Sequence, residues 1–257
     1  MDKIILREAG QIFKEEPRLI ELPSYGKAVF VGDTHGDLNA TQTVLDRYLS
    51  PMENTLVFLG DYVDRGPHSR ENINLLLGAK VRNKDRVYLL MGNHEGYKIL
   101  KWSPKDFWLS LSPIERDAYE DALAKLPLAA SSSSGIIALH GGLPDVENIQ
   151  EIDSIKPGSD QWLGITGGDF ENNDRDCLGI SEYGRPTFGK KYFDRVMGKL
   201  GKNVLIRSHQ PHAPEVMFDN KCLTIFTSHA YLPRRTVAVA DLGKETASVD
   251  DLDIRMI

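Results

Sequence analysis

The chain has 257 residues, 41% of them hydrophobic and 26% charged, with a formal net charge of −6. That balance belongs to a globular protein long enough to bury a large core, as one large α/β domain or two small ones. It argues against a nucleic-acid partner, which would call for a basic face, and no segment approaches the ~20 apolar residues that cross a bilayer. Cys177 and Cys222 lie far apart and outside any CxxC pattern, as expected of free thiols in a reducing compartment. Charges interrupt every apolar run in Met1–Glu8, so no signal peptide fits, and the expected location is cytoplasmic.

In chain order, Ile5, Ala9, Ile12, Phe13, Leu19 and Ile20 recur close to helical spacing, and Pro17 should end or restart that helix. Lys27–Val31 reads as a first strand and runs into Gly-Asp-Thr-His-Gly-Asp, followed by a helix over 38–49 with Leu38, Thr41, Leu45 and Leu49 on one stripe. Thr55–Leu59 is a second strand ending in Gly-Asp-Tyr-Val-Asp-Arg-Gly (60–66). A helix over 69–80 follows, its apolar stripe beginning at Ile73 because Glu71 and Asn72 are polar. Arg86–Leu90 is a third strand, ending in Gly-Asn-His-Glu (92–95). This alternation, repeated three times, predicts α/β architecture. Residues 94–126 should be largely helical with breaks near Pro104 and Pro113, and Ser131–Ser134 a loop before a strand at Ile136–Leu139. Residues 143–190 lack periodicity and are expected to face substrate. Strands are expected at 203–207, 215–218, 223–226 and 235–240, with no internal repeat, and one continuous domain over 1–257 is favoured.

Three strand-end loops can together supply a metal site. Asp33 and His35 would share a face of an extended backbone, Asp61 adds a carboxylate, and Asn93 adds an amide oxygen. Such a mixed oxygen and nitrogen set suits manganese, iron or zinc better than copper or an iron–sulfur cluster. Gly32, Gly36, Gly60, Gly66, Gly92 and Gly96 flank these groups and permit tight turns. A lone Asp33 would ordinarily be a turn or helix-capping residue. Three such loops in order, each after a strand, are not explained by turn chemistry.

The three motifs, in this order, closely resemble those of the PPP-type serine/threonine protein phosphatases of the calcineurin-like metallophosphoesterase superfamily. The likeness continues in His140–Pro144, Arg207–Pro211 and Phe226–Tyr231 and runs roughly from residue 5 to 240. It implies a β-sandwich flanked by helices, four layers in the order αββα, with the site at the C-terminal ends of the strands. It further implies two divalent metal ions, manganese foremost with iron or zinc as alternatives. Asp33, His35 and Asp61 would hold the first ion, and Asp61 would bridge to the second, completed by Asn93, His140 and His209. A solvent hydroxide between the ions would attack phosphorus directly. His94 would be the general acid, oriented by Asp64. Arg65 would grip phosphate with its planar fork, beside Asn93, and Tyr231 would stand at the mouth.

Departures from the family pattern matter. The stretch Ile180–Gly189 puts Glu182 where a second phosphate-binding arginine is expected, leaving Arg185 as the substitute and Arg175 as a weaker one. Met91 replaces an arginine before Gly-Asn-His-Glu, and His229 replaces a proline. The chain therefore resembles a compact, prokaryotic-type member. His68, His212 and His229 are expected at the surface or behind the site, with substrate contact the alternative for His229 because it is close to Tyr231, and Trp102, Trp108 and Trp162 are expected in packing roles. The expected function is a phosphoprotein phosphatase acting on phosphoserine and phosphothreonine, with phosphotyrosine a further substrate, so the expected partners are phosphoproteins. The competing enzyme is a small-molecule phosphohydrolase such as a symmetrical bis(5'-nucleosyl)-tetraphosphatase. That branch carries alanine for Asp64 and aspartate for Glu95. A phosphate-binding module without catalysis would have no reason to keep the Asp64–His94 pair.

Overall fold

A computed structural model describes residues 3–257 of the chain; the reading of Met1 and Asp2 as the start of a leaderless terminus lies outside these residues. The helices are α1 (Lys3–Glu15), α2 (Leu38–Tyr48), α3 (Ser69–Arg82), α4 (Asp106–Ser110), α5 (Pro113–Leu123), α6 (Asp160–Gly167) and α7 (Lys190–Leu200). The strands of the first half are β1 (Leu19–Glu21), β2 (Lys27–Val31), β3 (Asn54–Phe58), β4 (Val87–Leu89), β5 (Ala129–Ser131) and β6 (Ile136–Leu139). Those of the second are β7 (Asp169–Phe170), β8 (Cys177–Ile180), β9 (Pro186–Phe188), β10 (Val204–Arg207), β11 (Val216–Met217), β12 (Cys222–Thr224), β13 (Thr236–Asp241) and β14 (Asp253–Met256).

They form a six-stranded sheet, β1-β5-β6-β10-β12-β11, a five-stranded sheet, β14-β13-β2-β3-β4, and a small three-stranded sheet, β7-β9-β8. Residue alternation shows how the large sheets pack. Ala28, Phe30, Val57, Ala238 and Ala240 of one meet Ile20, Ala130, Ile136, Ala138, Val204, Ile206 and Leu223 of the other in one apolar layer. Their sequence neighbours Val29, Val31, Leu56, Phe58, Ile137, Leu139 and Leu205 point the opposite way, into cores shared with the helices. The result is the expected four-layer sandwich. Parallel pairing of β2, β3 and β4, and of β6 with β10, brings the C-terminal ends of these strands to one rim. Among the described residues, no helix is long and apolar enough to cross a membrane.

Several local expectations change. Helix α1 stops at Glu15, and Leu19 and Ile20 belong to β1, one facing each side of its sheet. Helix α2 buries Ala40, Val44 and Tyr48 as well as Thr41 and Leu45, while Leu38 and Leu49 are only half-buried. In α3 the polar Asn72 is fully buried, one residue before the apolar stripe was expected to begin. Ser131 closes β5, so the serine tract is partly strand. The unpatterned 143–190 stretch holds α6 and the small sheet.

Candidate active site

Five strand ends supply the cleft. Asp33 and His35 follow β2, Asp61, Asp64 and Arg65 follow β3, and Asn93 and His94 follow β4. His140 follows β6 and His209 follows β10, on the other sheet. His35, Asp61, Asp64, Arg65 and His209 all have positive φ, between 39° and 71°, where non-glycine residues rarely sit. Such strain persists only where surrounding contacts over-determine the backbone, and it gathers at functional sites. It also corrects one expectation: the chain turns at His35 and is not extended there, so the turn, not strand alternation, aims Asp33 and His35 into the same cleft.

The loops are locked to one another. Glu95, fully buried, accepts from the backbone amides of Asp61 (2.8 Å), Tyr62 (2.8 Å) and Gly92 (3.1 Å). Asn72 donates to Thr34 Oγ1 (2.9 Å) and to the Tyr62 carbonyl (2.8 Å), tying the first loop to the second. A Cβ on Gly92 would lie 2.3 Å from Asp61 Oδ1, so only glycine fits that approach. Across the sandwich, Ser208 Oγ accepts from the Asp33 amide (2.9 Å) and donates to the Ile225 carbonyl (2.6 Å). Sequence reading missed Asn72, Ser208 and the structural part of Glu95.

Within this frame the imidazoles are aimed by their far nitrogens. His35 Nδ1 donates to the Val63 carbonyl (2.8 Å) and His140 Nδ1 to the Leu59 carbonyl (3.0 Å). Each Nε2 lone pair therefore points at carboxylate oxygens. His35 Nε2 lies 3.5 Å from Asp33 and 3.6 Å from Asp61, and His140 Nε2 lies 3.3 Å from Asp61. His209 Nδ1 comes within 3.1 Å of His140 Nε2. Lone pairs converging on lone pairs are reconciled by a cation between them, and a carbonyl holding the other ring nitrogen is the usual arrangement of a metal-ligating histidine. Buried polar atoms normally find partners, yet Asp33 Oδ2, His35 Nε2, both amide atoms of Asn93 and His209 Nε2 have none. Two groups, His35–Asp61–His94 and Asp61–His140–His209, have ligand atoms within 4.8 Å of one another and share Asp61.

The electrostatics differ between the imidazoles of His35 and His140: at His140 burial lowers the pKa, but the Asp61 and Asp33 charges outweigh it and the net shift is upward. Burial holds His35 neutral, with a pKa of about 3, the form in which imidazole binds metal. Burial first, and then the Asp61 charge, lifts Asp33 to about 6, a carboxylate in need of a neighbouring cation. Asp61 itself is held well below the usual range: burial works against its charge, and the surrounding histidines outweigh it. This donor set fits divalent metal ions.

His94 is held differently. Its Nδ1 donates to Asp64 Oδ2 at 2.6 Å, and Asp64 Oδ1 accepts from the Phe107 amide at 2.8 Å. Burial lowers the His94 pKa, but Asp61 and Asp64 more than offset it, and the net shift is upward. Its Nε2 faces the Asp61 side at 3.9 Å. Arg65 is exposed and lies over the Tyr231 ring, 4.7 Å from its centroid, and Tyr231 in turn meets the His35 ring edge-on at 5.5 Å.

On the opposite side, Arg185 comes to the cleft and Arg175 does not. Arg185 lies 3.9 Å from Asp169, whose other oxygen is 3.5 Å from His209 Nε2, and its guanidinium stands 5.8 Å from the Trp102 ring. Arg175 and Glu182 are exposed in the loops that join the strands of the small sheet. Trp102 therefore borders the cleft, while Trp108 and Trp162 are core residues. Asp169 carried no signal in the sequence. His68 and His212 are exposed, and His229 is exposed but anchored through its amide to Asp37 at 3.0 Å.

Comparison with known proteins agrees with this geometry. The chain is 31% identical over 243 residues to a protein of Encephalitozoon cuniculi named "Probable serine/threonine-protein phosphatase", covering 88% of this chain and 52% of that protein. It is 33% identical over 278 residues to the serine/threonine-protein phosphatase BSL2 of Arabidopsis thaliana, covering 95% of this chain and 26% of that one. The chain thus spans about half or less of these relatives. A solved serine/threonine phosphatase of Saccharomyces cerevisiae, described as similar to human phosphatase PP5, superposes with a TM-score of 0.83 over 99% of this chain and 88% of its own, at 21% identity, which is a likeness of fold. The sequence profile of the calcineurin-like phosphoesterases matches residues 26–213, the stretch that carries every strand-end loop described above, and the chain belongs to that family.

Proposed function

We propose that the chain is a metal-dependent phosphoprotein phosphatase that hydrolyses phosphoserine and phosphothreonine esters, and phosphotyrosine as a further substrate, in the cytoplasm. Manganese is the proposed metal, held by Asp33, His35, Asp61, Asn93, His140 and His209, with iron or zinc able to replace it. When bound, two such ions acidify water and neutralise phosphoryl charge. The protein's own groups do the rest. Arg65 presents a planar fork to two phosphoryl oxygens, and the Asn93 amide and Arg185 face the same group. Asp64 fixes the ring of His94 and favours its charged form, so that Nε2–H can pass a proton to the leaving alkoxide. Neither residue needs to form a covalent bond to phosphorus.

The observation that carries the choice of substrate class is the 2.6 Å contact between His94 Nδ1 and Asp64. The dinucleoside tetraphosphatase pattern has alanine in place of that aspartate. The test is one panel of phosphoserine, phosphothreonine and phosphotyrosine peptides beside diadenosine tetraphosphate, with manganese and with EDTA. EDTA-sensitive hydrolysis of the peptides is expected. Efficient cleavage of the dinucleotide with inert peptides would transfer the protein to the small-molecule branch.

A further inference from the structure

The segment 228–235 crosses from β12 of the six-stranded sheet to β13 of the five-stranded sheet and carries Tyr231 to the cleft. Its base is stitched shut: Thr236 N donates to the Phe226 carbonyl (2.7 Å) and Thr227 Oγ1 to the Thr236 carbonyl (2.7 Å). Farther out, one ion pair spans it. Arg235 donates through Nε (2.9 Å) and Nη2 (2.6 Å) to the two oxygens of Asp37, and through Nη1 to Asn39 Oδ1 (2.8 Å). The same carboxylate accepts from the His229 amide (3.0 Å) and caps α2 through the Ala40 amide (3.2 Å). Both side chains are mostly buried, 16% and 13% exposed, and a bidentate pair in that setting fixes geometry as well as charge. Asp37 closes the loop that holds Asp33 and His35, and Arg235 leads directly into β13, which pairs with β2. The pair therefore references the Tyr231 segment to the same strand that carries the first two site residues.

The Arg65 guanidinium shows why this matters. Among the described residues no carboxylate pairs with it; what it rests on is the Tyr231 ring. That leaves its fork free for an anion but makes its position depend on the ring.

We propose that Arg235, locked on Asp37, is a positioning residue for phosphate recognition: it seats the 228–234 segment so that Tyr231 backs Arg65. This rests on the phosphoesterase reading above for its kinetic consequence but not for its mechanical one. The test combines Arg235→Ala, Arg235→Lys, Tyr231→Ala and the double variant, read by amide hydrogen exchange and by kinetics on a phosphopeptide. Arg235→Ala should speed exchange of amides 228–234 by about tenfold, with thermal melting and metal content near those of the parent. Its KM should rise by about tenfold, equivalent to about 1.4 kcal/mol, with kcat within about threefold. Lysine should rescue little, because an ammonium cannot reproduce the fork. In the Tyr231→Ala background, Arg235→Ala should add less than about twofold to KM, since residues acting in series are not additive. Additive effects on KM, or unchanged exchange in 228–234, would overturn the proposal. If Arg235→Ala does not fold, Asp37→Ser, which keeps an oxygen for the α2 cap and loses the fork, serves in its place. Should the parent hydrolyse no phosphoester, the functional reading falls, and the exchange result alone decides whether the clamp exists.

Discussion

Asp61 and Arg185 face the same cleft but are held in unlike ways. Asp61 sits on a strained turn whose amides are gripped by Glu95, packed so closely on Gly92 that a methyl group would not fit between them. Its side chain already accepts from the His94 amide at 3.0 Å. Arg185 comes from the turn that joins β8 to β9 in the small sheet; its carboxylate contact is 3.9 Å, its aromatic one 5.8 Å, and its Nε is buried without a partner. The wall built by the five-stranded sheet is preorganised, and the wall built by the 169–188 excursion is not. Preorganisation is what metal ligation and proton transfer demand, because misplacement by about 1 Å can cost on the order of 100-fold in rate. Gripping a phosphoryl group of varied attachment tolerates, and can use, a looser hand.

The sharpest way to break this comparison is on the rigid wall. Asp61→Asn removes the one carboxylate shared by both ligand groups. Turnover should fall by about 10³-fold or more, which is about 4 kcal/mol, and metal analysis should show loss of bound ions. Retained metal with near-normal turnover would mean that the shared carboxylate does not organise the site. Asp64→Asn should cost less, about 10²-fold in kcat, within the usual range for general acid catalysis. Metal should stay bound. The sign of the pH effect follows from geometry: Asp64 favours the charged imidazole at 2.6 Å, so the pKa of His94 falls when that charge is removed. The acid must be protonated to act, so the alkaline limb of the rate profile should move to lower pH. An alkaline limb that stays in place would assign it to another group.

The same division governs what the sequence made legible. The rigid wall is built from short loops that each follow a strand, so its chemistry lies in contiguous motifs, and Asp33, His35, Asp61, Asn93 and His94 could be named together. The braces were harder. Asn72 reads as a surface residue of an amphipathic helix, because nothing local says that two loop backbones will need its amide. Arg235 and Asp37 are separated by 198 positions and meet only when β13 pairs with β2. The loose wall was least legible. Strand β7 has two residues, β8 is exposed along most of its length, and neither shows the alternation that marks a half-buried strand. β1, with three residues beside a proline, was absorbed into the preceding helix for the same reason. The four-layer sandwich, by contrast, was foreseen through the motifs, and the alternation in β2 and β3 shows why it forms.

The smallest expected effect is the most informative about the loose wall, because it separates two arginines that sequence offered as substitutes for one another. Arg185 is 20% exposed and oriented between Asp169 and Trp102 toward the His209 side of the cleft. Arg175 lies ten positions earlier on the exposed flank, where its carbonyl accepts from the Lys191 amide at 3.0 Å. Arg185→Ala should raise KM for a phosphopeptide by about tenfold, about 1.4 kcal/mol, with kcat changed far less, since a phosphate grip made equally in ground and transition states appears in KM. Arg175→Ala should stay within about twofold of the parent. Because the Asp169 contact is long, Arg185→Lys should recover part of the loss, unlike Arg235→Lys, where the fork itself is the contact. Equal effects at 175 and 185 would remove the reason for placing a phosphate contact on this wall. Recovery by lysine at 185 together with failure at 235 would show that charge suffices on the loose side of the cleft and that shape is required on the rigid one.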